Sequence, residues 1–270
     1  MLYVATVHYR SPRWIKIQTE HLRRRLPVPH QIWTSLEHID PSYGIHFDRV
    51  LHQHGSHAGK LNHLAMEISQ VASPDDLLMF IDGDAFLIAD PMPVIREGLE
   101  KAPLIAVRRA ENFNEPQPHP CFCVTTIRTW NELPGDWTSG YTWPGPTGRR
   151  GGDVGGNLLR RLELTGTPWV ELLRTNRVNL DPLYYAVYGG IVYHHGAGFR
   201  TGELSLVDRA GAPKPLPRSR VPLFGWLLRA VNGGRWHAWE RKAERHHVRQ
   251  SESLYQSILR GDSDWLARLT

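Results

Sequence analysis

The sequence predicts an α/β fold: a central Rossmann-like sheet, mixed but mostly parallel, flanked by helices and followed by a basic helical extension. Three observations predict it. Apolar runs of strand length alternate with amphipathic segments from Leu2 to Thr126, as parallel-sheet units require. One run, Leu77 to Ile81, carries no polar residue, which suits a strand covered on both faces. Composition then changes after Gly202, where Pro213, Pro215, Pro217 and Pro222 interleave with Lys214, Arg218 and Arg220.

Taken in order, Leu2 to Val7 predicts the first strand, and His8 to Pro12 the loop after it. A helix is expected from about Arg13 to Arg25, with Trp14, Ile17 and Leu22 inward and Pro27 beyond its end. Gln31 to Ser35 predicts the second strand. From Ala58 to Val71 the residues Leu61, Leu64, Ala65, Ile68 and Val71 recur at helical spacing. The apolar strand at Leu77 follows the turn Ser73-Pro74-Asp75-Asp76. A short helix (Val94 to Glu100) and two strands (Leu104 to Val107, Phe122 to Thr126) come next. The stretch Pro134 to Gly152 is dense in glycine, proline and aromatics, and reads as a long binding loop or lid. A helix from Asp153 to about Leu164, closed by Gly166, and a late strand, Ile191 to His195, complete a domain of residues 1–202. A Pro-rich linker is expected over 203–222. The extension, 223–270, reads as separate helices at Leu223 to Leu228, Trp236 to His247 and Ser251 to Arg260.

The chain has 270 residues, 41% of them hydrophobic, with ten Trp, enough for one sizeable core. No run of about 18 apolar residues suggests a membrane span, and the first residues lack a signal-peptide pattern, so cytoplasm is the expected compartment. Cys121 and Cys123 are read as free thiols rather than a disulfide. Net charge is +5. It fits anionic ligands or a membrane surface, and no nucleic-acid-binding motif accompanies it.

The chemistry concentrates in Asp82-Gly83-Asp84, at the carboxyl end of the Leu77 strand. Open α/β sheets bind ligands at that edge. Two neighbouring carboxylates there are costly to bury without a cation, and a divalent metal is the usual one. Gly83 would let a phosphate or ribose approach the backbone. The arrangement resembles the DxD motif of GT-A type nucleotide-sugar glycosyltransferases of bacteria. The resemblance spans about residues 1–202 through short motifs. It implies that Asp82 and Asp84 hold Mn²⁺ or Mg²⁺, which neutralises the donor's diphosphate. Haloacid-dehalogenase-like phosphatases share an apolar-strand-DxD signature, but they place Thr or Val where this chain has Phe86. Another alternative is a non-catalytic basic module that binds polysaccharide or membrane.

The second motif, Val192 to Arg200 (VYHHGAGFR), supports the transferase. In the family a late His supplies a third metal ligand, and a following Gly and basic residue touch the diphosphate. His195, Gly198 and Arg200 match that order, with His194 the competing ligand. The resemblance places the nucleotide base, a UDP donor being favoured, near Thr6, His8 and Tyr9. It places Lys60 and Asn62 at the start of the helix before the motif, also against the donor. Trp137, Tyr141 and Trp143 are expected to stack on an acceptor sugar. Asp153, in Gly151-Gly152-Asp153-Val154-Gly155-Gly156, matches an acidic residue at the acceptor, and it is also a natural helix N-cap. As a general base it would favour an inverting reaction. The apolar and basic residues Leu223, Phe224, Trp226, Leu227, Leu228, Arg229 and Arg235 suit either sheet cover, a dimer contact or a helix lying on an anionic membrane.

Overall fold

The computed structural model describes residues 1–144, 150–196, 212, 214, 222–262 and 264–270. It divides into two compact units, residues 1–199 with 269–270, and residues 200–268.

In the first unit, seven strands form one sheet. Strand β1 (Leu2–Tyr9) leads through α1 (Ile15–Arg25) to β2 (His30–Glu37), and a single 3₁₀ turn (Pro41–His46) leads on to β3 (Arg49–Leu51). Helix α2 (His57–Ser69) crosses back to β4 (Leu77–Asp82), which is followed at once by β5 (Ala85–Leu87). Then come α3 (Met92–Lys101), β6 (Leu104–Val107), β7 (His119–Thr126) and α4 (Ile127–Glu132). A two-residue hairpin, β8 (Trp143–Pro144) and β9 (Arg150–Gly151), precedes α5 (Gly156–Thr165), β10 (Val170–Leu172), β11 (Ala186–Tyr188) and β12 (Val192–His194).

The sheet order is β10-β6-β7-β4-β1-β2-β3. Strands β4, β1, β2 and β3 are mutually parallel, whereas β7 runs antiparallel to both β4 and β6. The sheet is therefore mixed, as expected. Its two faces explain the uncharged Leu77 run. Met79 and Ile81 enter one apolar cluster, with Val4, Ile32, Ile105 and Val124. Leu78 and Phe80 enter the other, with Ala5, Leu61, Leu64 and Trp130. Both faces of β4 are covered, so neither position class can be polar. Cys121 and Cys123 divide between the same two clusters, free and buried.

One expectation needs correction. Val71 lies past the end of α2 and is exposed, so the inward stripe stops at Ile68. The apolar Ala85-Phe86-Leu87 forms β5 of a second, antiparallel sheet, β11-β12-β5, in which Ala85 pairs with His194 and Phe86 with Tyr193.

In the second unit, α6 (Pro222–Leu259) is one helix of 38 residues, followed by α7 (Asp264–Ala267). The three helices anticipated there are thus one. The helix runs through Gly233 and Gly234; a glycine in a helix interior costs only about 1 kcal/mol. No helix among the described residues is long and apolar enough to cross a membrane. Most of the Pro-rich 203–222 stretch lies outside the described residues, as do the side chains of Leu223, Phe224, Trp226, Leu227 and Arg229.

Candidate metal site and its surroundings

The turn between β4 and β5 sets the two carboxylates. Asp82 is the last residue of β4, and Asp84 immediately precedes β5. Pairing of β5 with β12 then brings a histidine across. Asp82, Asp84 and His194 offer ligand atoms that all lie within 4.8 Å of one another. His194 Nε2 is 3.4 Å from Asp84 Oδ1 and 3.7 Å from Asp82 Oδ2. Two carboxylates and an imidazole suit Mn²⁺ or Mg²⁺, with Mn²⁺ the better match for the nitrogen. The histidine that joins the two acids is thus His194, the competing candidate, and not His195. Neighbouring strand residues face opposite ways. The His195 ring packs on Trp14 at 4.5 Å and on Tyr185 at 5.0 Å, and its Nδ1 is 2.9 Å from the Tyr193 hydroxyl.

The turn is clamped from beneath. Gln18, fully buried on α1, donates from Nε2 to the carbonyls of Asp82 (2.6 Å) and Ala85 (2.7 Å), which bracket Gly83 and Asp84. Its Oε1 accepts from the Thr6 hydroxyl and from His8 Nε2, each at 3.0 Å. Thr6 and His8 are thus buried members of this network. Burial holds the His8 pKa down at about 4, so its ring is neutral. Gly83 also serves packing. A Cβ there would stand 2.4 Å from the Val7 carbonyl oxygen and 2.8 Å from His8 Nδ1, so close approach to β1 demands the glycine.

Around Asp82 stand two further histidines. His57, the first residue of α2, donates from Nε2 to Asp82 Oδ1 at 2.9 Å. Burial disfavours its charge, but the hydrogen bond and the charges of Asp82 and Asp84 outweigh that and raise its pKa. Burial likewise works against the Asp82 carboxylate, and the His57 bond with the neighbouring imidazoles still holds it below the usual range. His119 Nδ1 lies 3.9 Å from Asp82 Oδ2 and accepts from the Cys121 backbone N–H at 3.1 Å. Burial, reinforced by Arg109, keeps His119 well below its ordinary pKa.

Lys60 is buried and pairs with Glu37 at the end of β2. Hydrogen bonds from Lys60 first, and from His54, lower the Glu37 pKa to about 2. The Lys60 charge is thus already matched, and its ammonium lies 4.9 Å over the Tyr9 ring. Asn62 is committed as well: it donates to Asp136 Oδ1 at 2.7 Å and accepts from the Trp137 backbone N–H at 2.9 Å, anchoring the loop after α4. Trp137 is fully buried, stacked on Trp130 and edge-on to Phe80. It belongs to the core, not to an acceptor surface. Trp143 is buried opposite Gly151 in the small hairpin, and Tyr141 is half-buried beside it. Asp153 does not cap α5. Gly155 occupies that position with φ 89°, and Asp153 Oδ1 accepts instead from the Val154 N–H at 2.8 Å. The Asp153 charge helps to raise the pKa of Glu115, after burial itself. Gly198 and Arg200 lie outside the described residues.

Sequence reasoning missed Gln18, Glu37, His57 and His119. Gln18 left one legible sign, a polar residue on the apolar face of α1 three places after Ile15 and four before Leu22. His57 and His119 left none, because only the packing of α2 on the sheet and the pairing of β7 with β4 bring them to Asp82.

No protein-family model and no curated protein matches the chain. Among solved structures it is similar to Staphylococcus aureus TarS 1–349 in complex with UDP-GlcNAc, at 11% identity and TM-score 0.39, over 51% of this chain and 49% of that one. It is similar to the galactosyltransferase LgtC, solved with donor and acceptor sugar analogues, at 7% identity and TM-score 0.34, over 48% of this chain and 60% of that one. It is also similar to the glycosyltransferase GlyE of Streptococcus pneumoniae TIGR4, at 13% identity and TM-score 0.36, over 48% of this chain and 35% of that one. In each case the matched part is less than two thirds of the other chain.

Proposed function

We propose that this protein is a metal-dependent glycosyltransferase of the GT-A type, moving a sugar from a nucleoside-diphosphate donor to a hydroxyl acceptor. The observation that carries the reading is the Asp82, Asp84 and His194 cluster at the carboxyl edge of the parallel strands. A divalent metal held there would neutralise the leaving diphosphate as negative charge develops. Gln18 keeps the two carboxylates in register through the turn's own carbonyls. His57 fixes the Asp82 carboxylate through Oδ1, which leaves Oδ2 turned toward His194. A UDP donor is favoured, with Tyr9 the one base-side residue that is not fully buried. Asp153 is the proposed general base, with inversion as the outcome. The experiment is scanning fluorimetry with UDP, GDP and dTDP, each with and without Mn²⁺. A rise in melting temperature that needs both nucleotide and metal is the expected result; indifference to every combination refutes the reading.

We also propose peripheral contact with an anionic membrane through α6. At 3.6 residues per turn, Arg235, Lys242, Arg245, His246 and Arg249 fall within an arc of about 100°, and all are exposed. Glu240 and Glu244 fall on the opposite side, and half-buried Trp239, packed on Trp236, borders the basic stripe. Basic residues edged by Trp suit the interface of an anionic bilayer.

A further inference from the structure

Beside the metal cluster, the connection from β6 to β7 gathers Arg109, Glu111, Glu115 and Gln117, and Tyr188 of β11 faces them. Arg109 Nη1 is 3.4 Å from His119 Nε2, the same histidine that approaches Asp82. Three polar atoms here are inaccessible to solvent and find no partner among the described residues: Arg109 Nε, Glu111 Oε2 and Gln117 Oε1. Native proteins leave few such atoms, and each one asks for an explanation. Gln117 is itself 1% exposed. The other ends of two of these side chains are tied down. The Tyr188 hydroxyl donates to Glu111 Oε1, and Gln117 Nε2 donates to Glu115 Oε2 at 3.2 Å. Glu111 Oε2 and Gln117 Oε1 are therefore held in place rather than free to turn away.

We infer that Arg109, Glu111 and Gln117 form a subsite for the hydroxyl groups of a sugar ring. The orphaned set is one cationic N–H donor and two oxygen acceptors. Phosphate only accepts, and Glu111 would repel it. A cation would meet Arg109, and an apolar group would satisfy none of the three. Adjacent hydroxyls both accept and donate, so a sugar ring carries the kind of partner that each of the three atoms lacks. The subsite rests on the glycosyltransferase reading and deepens it. The ring is either the transferred sugar of the donor or the acceptor.

Calorimetry on the full chain with Mn²⁺ separates these. Wild-type protein is titrated with UDP, UDP-glucose, UDP-galactose and UDP-N-acetylglucosamine, and the UDP complex with the corresponding free sugars. At least one sugar-bearing ligand should bind about tenfold tighter than UDP, or one free sugar should bind to the UDP complex, since a hydrogen bond to a charged group is worth about that much. Gain on the nucleotide sugar assigns the donor; gain on the free sugar assigns the acceptor. Glu111→Gln and Arg109→Met should erase that gain while UDP binds as before. If the gain survives in both variants, or no sugar adds to UDP, ordered water satisfies the three atoms and the inference is overturned while the transferase reading stands. If UDP with Mn²⁺ does not bind at all, both fall.

Discussion

Gly83→Ala tests the site through its scaffold. The added Cβ would stand 2.4 Å from the Val7 carbonyl oxygen, about 1 Å inside ordinary contact, and 2.8 Å from His8 Nδ1. Neither neighbour can yield by a rotamer change. Val7 is backbone in a strand paired on both edges, with Asp82 and with Ser35. His8 is held by Gln18, which also grips the turn. The clash must then be relieved by shifting the turn itself. Overpacking of this kind costs about 1–3 kcal/mol, and two immobile neighbours place it near the top of that range. For a domain of this size that lowers the melting temperature by roughly 6–12 °C. A turn displaced by about 1 Å also misplaces Asp82 and Asp84, since metal-ligand distances tolerate only about 0.2 Å. Thermal melts, and calorimetric titration with Mn²⁺ and UDP, read both effects. A variant that melts within about 1 °C of wild type and keeps its metal-dependent nucleotide binding would refute the account of Gly83.

Three further outcomes are expected. His194→Ala should weaken Mn²⁺ binding by about tenfold or more with the fold intact, whereas His195→Ala should lower stability through lost packing on Trp14 and Tyr185; the reverse pattern in melts and titrations would restore His195 as the ligand. Stability should decline as pH falls from about 6.5 to about 4. The unfolded His8 takes up a proton across that window, while the folded one, held at about 4 by burial, does not, a loss of about 3 kcal/mol at most. Urea midpoints at several pH values would show it, and an unchanged slope in His8→Gln would rule His8 out as the cause. The protein should sediment with anionic but not neutral vesicles, and reversing Arg235, Lys242 and Arg249 to Glu should release it; retention in the supernatant at low salt ends the membrane proposal.

The alternation of apolar runs and amphipathic stripes, with the uncharged Leu77 to Ile81 segment, determined the α/β class and the position of Asp82 and Asp84 at a strand's carboxyl end. These are local properties, set by periods of two and 3.6 residues and by burial on one face or both. The strand-side preference of the two adjacent histidines was not local. Pairing of β12 with β5 turned His194 toward the acids and left His195 among Trp14, Tyr185 and Tyr193. The same holds for Gly83, Lys60 and Trp137. Each has a side chain, or lacks one, that suits a ligand as well as a core, and neighbours far along the chain decided for the core: Val7 and His8, Glu37, and Phe80 with Trp130. Gln18, His57 and His119 came to the metal cluster from 64, 25 and 37 residues away from Asp82, on α1, α2 and β7. Contacts at that separation carry no periodicity for a sequence to display, so only the packed sheet assembled them.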